Sequence, residues 1–230
     1  MNKKKNLKME NLYTLDNINL NYQLNGNDIK VLKNINFEIK KNERVAIVGE
    51  SGSGKTSLLM IMSCLEEPTT GSIIFKNKDL TKVSEREKTE IRKKKIGLIF
   101  QQFYLIPNYT AIENVMFPMQ INNIEDEKEK ATSILSEIGL GHRKYNLPSE
   151  LSGGEQQRVA IARAISFDPE IILADEPTGN LDEKNTELVS DLLLDYSKKK
   201  KISLILVTHN IKLAKKCDRV IKLIDGNIKL

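Results

Sequence analysis

Eight consecutive residues carry the strongest chemical signal in this chain of 230: Gly49-Glu50-Ser51-Gly52-Ser53-Gly54-Lys55-Thr56. They fit the pattern G-x-x-x-x-G-K-[ST], in which glycines let the backbone curl until several N–H groups point inward at one place. A phosphate group is what such a place attracts. Lys55 adds a full charge for the β- and γ-phosphates, Thr56 offers a hydroxyl to Mg2+, and Ser57 follows as a further contact. A flexible Gly/Ser loop is the plain alternative, and context weighs against it. The apolar run Arg44-Val45-Ala46-Ile47-Val48 leads in and a helical stretch over 55–65 leads out, so a helix N-terminus would add its own positive potential.

A second group is Asp175-Glu176, two carboxylates closing the apolar run Ile171-Ile172-Leu173-Ala174. Ligands of open α/β sheets bind at such strand ends. Successive strand side chains point to opposite sides, so the two acids divide the work: Asp175 suits Mg2+, through water, and Glu176 suits polarising an attacking water. Alone, the pair would read as a solvated loop start; a phosphate loop upstream makes the catalytic reading the stronger one. Ser152-Gly153-Gly154, ahead of a helical stretch, offers a second set of hydroxyl and N–H donors to an anion, or else simply a capped helix start.

These groups need a scaffold of buried parallel strands. Runs at 171–174 and 202–207 are continuous apolar strands, separated by a helix over 182–197, which is how parallel-sheet units alternate. Ile18, Leu20 and Tyr22, then Ile35, Phe37 and Ile39, alternate as half-buried antiparallel strands do, and 72–75 returns to them. Ser84-Glu85-Arg86-Glu87 matches a capping box for a helix to about Lys94, and 96–100 is again strand-like. Helical patterning then covers 110–121, interrupted by Pro118, and 124–138, closed by Gly139. A helix over 155–166 follows, and the chain reaches a 219–224 strand, an Asp225-Gly226 turn and a strand from Ile228. The expected fold is α/β: a P-loop core with an antiparallel β-subdomain and an inserted helical subdomain over about 101–155. Residues 1–8 are expected to be a disordered basic tail, and 9–230 a single domain.

Lys plus Arg of 36 against Asp plus Glu of 31 leaves a net charge of +5. The excess is scattered in short runs such as 93–95 and 198–201, which suit helix C-termini, and no interleaved aromatics offer base stacking. Nucleic acid is therefore not an expected partner. Cys64 and Cys217 lie far apart and read as buried structural thiols of a reducing compartment. No apolar stretch follows the N-terminal lysines, so export is not expected. The longest apolar runs, such as 58–64, fall short of the roughly 18 residues that span a bilayer.

Leu151-Ser152-Gly153-Gly154-Glu155-Gln156-Gln157-Arg158 resembles the signature motif of the ATP-binding-cassette family, and further elements of that family follow in register along nearly the whole chain. The resemblance implies an ATPase that uses ATP and Mg2+. It implies that Tyr22 stacks on adenine, although a tyrosine in an amphipathic strand also reads as sheet surface. It implies that Gln101 touches Mg2+ and senses a membrane partner, that Asp182 lies on a loop crossing between paired subunits, and that His209 meets the γ-phosphate. Asp182 also reads as a helix N-cap, and His209 alone would be a surface loop residue.

The wording of 174–182 and 99–107 looks most like the branch of lipoprotein release, macrolide export and antimicrobial-peptide resistance, with a cell-division ATPase as close relative. The implied protein dimerises with itself around ATP and drives a separate transmembrane permease from the cytoplasmic face of the membrane. The alternative is an ATP-gated signalling or cell-division clamp with no transported substrate. Soluble cassette ATPases acting on nucleic acid or ribosomes resemble tandem cassettes or one split by a coiled coil, features this sequence lacks.

Overall fold

The computed structural model describes residues 11–24 and 26–229. The expected basic tail lies outside the described residues. Two sheets organise the chain. Strands β1 (Asn11–Leu24), β2 (Asn27–Lys40), β4 (Thr70–Phe75) and β5 (Lys78–Asp79) form an antiparallel sheet in the order β2-β1-β4-β5. Strands β3 (Arg44–Val48), β6 (Ile96–Ile99), β7 (Ile171–Asp175), β8 (Ser203–Val207), β9 (Arg219–Ile224) and β10 (Asn227–Lys229) form the second, in the order β10-β9-β3-β8-β7-β6. Its neighbours are parallel except at the β9–β10 hairpin.

The second sheet holds the site, and its composition explains why. Val45 to Val48 and every residue of β8 are buried, as are Ile171 to Ala174, which is what a strand covered on both faces requires. One face packs against the antiparallel sheet and α1 (Lys55–Met62), through Ile47, Leu58, Leu173 and Ile205. The other packs against α5 (Gly153–Ile165) and α6 (Glu183–Lys200), through Ile161, Ile172, Leu193 and Leu204. Helices α3 (Ala111–Ile121) and α4 (Glu127–Glu137) form a further cluster with the outer face of α5, around Val115, Leu135 and Val159.

Several elements differ from the sequence-based expectation. β1 and β2 run well beyond the alternating stretches at 18–22 and 35–39, because Asn17 and Asn34 adopt left-handed φ of 51° and 50° and let the ladder continue through register shifts that break the alternation. Pro118 does not interrupt α3; the helix runs through it, and Asn122 closes the end by donating to the Pro118 carbonyl. α1 stops at Met62, with Cys64 at φ 58°, and α6 runs on to Lys200. α5 begins at Gly153, not Glu155, so the two glycines are its first turn and Ser152 its N-cap. Helix α2 (Glu85–Lys95) has the expected capping box. Strand β5 and the short helix α7 (Ile211–Ala214) were not anticipated.

Burial raises both thiols, Cys64 and Cys217, to about 11. Asp218 ties the start of β3 to β9: its carboxylate accepts from the Arg44 backbone N–H at 2.9 Å, from Nε at 3.0 Å and from Nη2 at 2.6 Å. The Arg44 guanidinium holds the Asp218 carboxyl below its ordinary range, so this stabilisation is complete at neutral pH and lost as pH falls through that lowered value. With Asp218 43% exposed, solvent screens the pair. Asp218→Asn should therefore cost only about 1 kcal/mol, a fall in melting temperature of about 2–4 °C, at neutral pH. A melt at pH 7 checks it.

Candidate functional site

At the C-terminal ends of β3 and β7 lies an open cleft of about 580 Å³. Its lining combines the glycine loop (Gly49, Ser51, Gly52, Gly54, Lys55, Thr56, Ser57) with Gln101, Asp175, Glu176 and His209. The loop can curl here for two steric reasons. A Cβ on Gly49 would lie 2.2 Å from the Leu223 carbonyl oxygen, and Gly54 adopts φ 97° where a Cβ would meet Val31 O at 2.9 Å. Gly54 caps α1 with no side-chain hydrogen bond and no acidic residue in the first turn, which leaves the helix N-terminus open to an anion. Lys55 is buried to 9% exposure, its ammonium donating to the carbonyls of Gly49 (2.9 Å) and Glu50 (2.7 Å). Among the described residues the buried Ser53 hydroxyl has no hydrogen-bond partner.

β7 delivers the acids. Asp175 Oδ2 accepts from Thr56 Oγ1 at 2.8 Å, while its buried Oδ1 has no partner among the described residues. Burial pushes the Asp175 carboxyl up, and the neighbouring Glu176 adds to this. An orphaned carboxylate oxygen beside a hydroxyl and the Gln101 amide is an all-oxygen donor set, which fits a hard divalent cation such as Mg2+. Among the described residues no cluster of three or more His, Cys, Asp or Glu could hold a metal by itself. That suits a cation shared with phosphate oxygens and water.

Glu176 adopts φ 45°, a left-handed backbone rare outside glycine and asparagine. The backbone holds it there: its N–H donates to Val207 O at 2.9 Å and its carbonyl accepts from Gly179 N at 3.0 Å. The consequence is orientation. Glu176 Oε2 meets His209 Nδ1 at 2.9 Å and the His209 backbone N–H at 3.3 Å, joining the ends of β7 and β8. Gln101 Nε2 donates to Asn180 Oδ1 at 2.9 Å, and Asn180 returns a bond to the Gln101 carbonyl at 3.2 Å.

Besides Ser53, three expected groups are not in the cleft lining. Ser152, Gly153 and Gly154 open α5 elsewhere. The Ser152 hydroxyl is engaged with Glu155, accepting from its N–H and donating to Oε2 at 2.8 Å. A Cβ on Gly154 would meet Asn185 Oδ1 at 2.3 Å, so the first turn of α5 packs directly on α6. Asp182 is the N-cap of α6, bonding the Asn185 N–H at 2.8 Å. Tyr22 lies near the end of β1 with its hydroxyl donating to Glu66 and the Ser57 hydroxyl beside it.

Three cleft neighbours escaped the sequence reading. Val31 lines the cleft from β2, where no chemical signal marks an apolar residue. Asn180 and Glu66 carry polar groups whose partners are distant in sequence, so only the fold reveals them.

A glycine loop between a buried strand and a helix, facing paired carboxylates across a parallel sheet, defines a P-loop nucleotide-binding protein. A family profile described as ABC transporter matches residues 32–179, and the chain belongs to that family. It is an ATP-binding, ATP-hydrolysing subunit of the ABC type. It is similar to the lipoprotein-releasing system ATP-binding protein LolD of Legionella pneumophila (strain Paris), with 43% identity over 202 residues, 87% of this chain and 89% of the relative. The LolD of Geobacter metallireducens is 42% identical over 222 residues, 96% of this chain and 99% of the relative. Among solved structures, the dimeric post-hydrolysis state of the ATP-binding cassette MJ0796, bound to ADP and Pi, superposes with a TM-score of 0.88 at 40% identity. That match covers 95% of this chain and 97% of the other. The likeness to the lipoprotein-release branch thus agrees with the sequence reading.

Proposed function

We propose that two copies of this chain close around two ATP molecules, and that closing and reopening drive a separate transmembrane partner in lipoprotein release. The observation that carries this is the separation of two phosphate-binding devices. The glycine loop lines the cleft, whereas the exposed Ser152 and its two glycines do not. Ser152, Gly153 and Gly154 of one copy then meet the γ-phosphate held by Lys55 of the other, and Asp182 lies on the crossing loop. The dimeric MJ0796 cassette bound to ADP and Pi supports the arrangement.

In this reading the loop N–H groups, Ser51, Ser53 and Lys55 bind the phosphates, and Ser57 and Tyr22 lie toward the base. Thr56, Asp175 and Gln101 would hold Mg2+, which when bound neutralises phosphate charge. Glu176, oriented by His209, polarises the water that attacks the γ-phosphorus and takes up its proton, while His209 contacts the γ-phosphate. The bond to the β-phosphate oxygen breaks and ADP and phosphate leave.

The membrane partner is a separate chain in this reading, since no described helix is long and apolar enough to cross a bilayer. The subunit then sits on the inner face of the membrane through that partner. Its contact surface includes Tyr104, which is 62% exposed beside Gln101 and stacks edge-on with Phe100 at 5.4 Å. Tyr109 and Phe117, also exposed, form a second edge-on aromatic pair at 6.0 Å. Leu105, the neighbour of Tyr104, is partly buried against the α3–α5 cluster, so only Tyr104 discriminates contact from core. Purification of the tagged protein from detergent-solubilised membranes should yield a co-purifying membrane chain with a large extracytoplasmic domain, identified by mass spectrometry. Tyr104→Glu should reduce that yield at least about fivefold, the loss of one interface anchor, while leaving ATP binding intact. Recovery of no membrane chain with the wild type would overturn the proposal.

A further inference from the structure

We infer that Glu66 is a positioning residue for the nucleobase, acting by fixing the Tyr22 ring at the mouth of the phosphate cleft. This rests on the reading of Tyr22 as the aromatic beneath the base. Tyr22 pairs across the ladder with Ile29 near the turn that joins β1 to β2 and is 42% exposed. A ring that exposed has several rotamers open to it unless its far end is held.

Glu66 supplies the hold. Its backbone N–H donates to Met60 O at 3.3 Å, which anchors it just past the end of α1. Its carboxylate accepts the Tyr22 hydroxyl, and among the described residues it forms no ion pair. The neighbouring Glu67 behaves differently, since it pairs with Lys88. At the other end of α1, Ser57 lines the cleft. The tyrosine is thus tied, through Glu66, to the C-terminal end of the helix that the phosphate loop opens. A ring fixed to that helix keeps its distance from the phosphates, which is what a base joined to them through a ribose requires. Pre-set orientation raises affinity without adding a contact.

Steady-state ATPase kinetics of the full chain test this. Glu66→Ala should raise KM for ATP by about three- to tenfold, the worth of one solvent-exposed hydrogen bond, with kcat within about twofold. Tyr22→Phe, which keeps the ring and loses the tether, should match it, and the double variant should be no worse than either alone. Glu66→Gln, which keeps an acceptor, should restore most of the wild-type KM. Inorganic tripolyphosphate, a competitor with no base, should keep its inhibition constant in every variant. A parallel rise in that constant would make Glu66 a support of the loop and overturn the inference. If Tyr22→Ala raises KM and Glu66→Ala does not, the tether is refuted while the base reading stands. If Tyr22→Ala leaves KM unchanged, the base reading itself falls.

Discussion

The Lys55→Ala protein is expected to fold and to lose most of the thermal shift that Mg-ATP gives the wild type. Lys55 is nearly buried at the N-terminus of α1, its ammonium within 2.9 Å of two loop carbonyls, in the cleft that the open helix end faces. Losing this charge-assisted contact should weaken binding about 100-fold, or about 2.7 kcal/mol, within the range of one hydrogen bond to a charged group. At an ATP concentration about 100 times the wild-type Kd, the wild type gains about 2.7 kcal/mol from ligand and the variant only about 0.4 kcal/mol. For a chain of this size that separates a shift of about 5–10 °C from one near 1 °C. Without nucleotide the variant loses only hydrogen bonds to carbonyls that water in the open cleft can replace. Differential scanning fluorimetry reads both effects, and an undiminished ATP shift would take Lys55 away from the phosphates.

Glu176→Gln should cut turnover by about 10²- to 10⁴-fold and turn ATP into a stable link between two copies. The substitution is conservative where it matters. An amide oxygen can still accept from His209 Nδ1 and from the His209 N–H, so the junction of β7 and β8 persists, while the charge that polarises water is lost. By size-exclusion chromatography the variant should run as a monomer without nucleotide and as a dimer with ATP. Adding Ser152→Arg should abolish the dimer and spare ATP binding to the glycine loop, because Ser152 is exposed and its bulkier replacement reaches outward. The first turn of α5, closed against Asn185, need not move. A Glu176→Gln protein that hydrolyses ATP at the wild-type rate would remove Glu176 from catalysis.

The elements that position the cleft were largely legible, since their signals are local. The buried strands at 44–48, 171–175 and 203–207 are continuous apolar runs, and the glycine loop stands between the first of them and α1 as its spacing requires. What stayed hidden depends on groups far apart in the chain. The length of β1 and β2 depends on left-handed asparagines that mask the alternation of apolar residues. Pro118 reads as a breaker, yet α3 is held by packing on α4 and α5 and tolerates it. The bond from Tyr22 to Glu66 spans 44 residues, and that between Gln101 and Asn180 spans 79, so neither leaves a mark in a sequence window. Leu105 and Tyr104 are neighbours of similar apolar character that face different environments, a difference only tertiary structure decides.

The contact of Lys55 with its own loop also bears on how nucleotide is gained and released. A free lysine side chain carries about 2 kcal/mol of rotational entropy. Here that freedom is surrendered when the chain folds, because the ammonium is held by the carbonyls of Gly49 and Glu50 in its own loop. ATP therefore meets a cation at rest in a formed cradle, and capture requires no ordering of that side chain. The departure of ADP and phosphate leaves the same cradle behind, ready for the next molecule without an interval of local refolding.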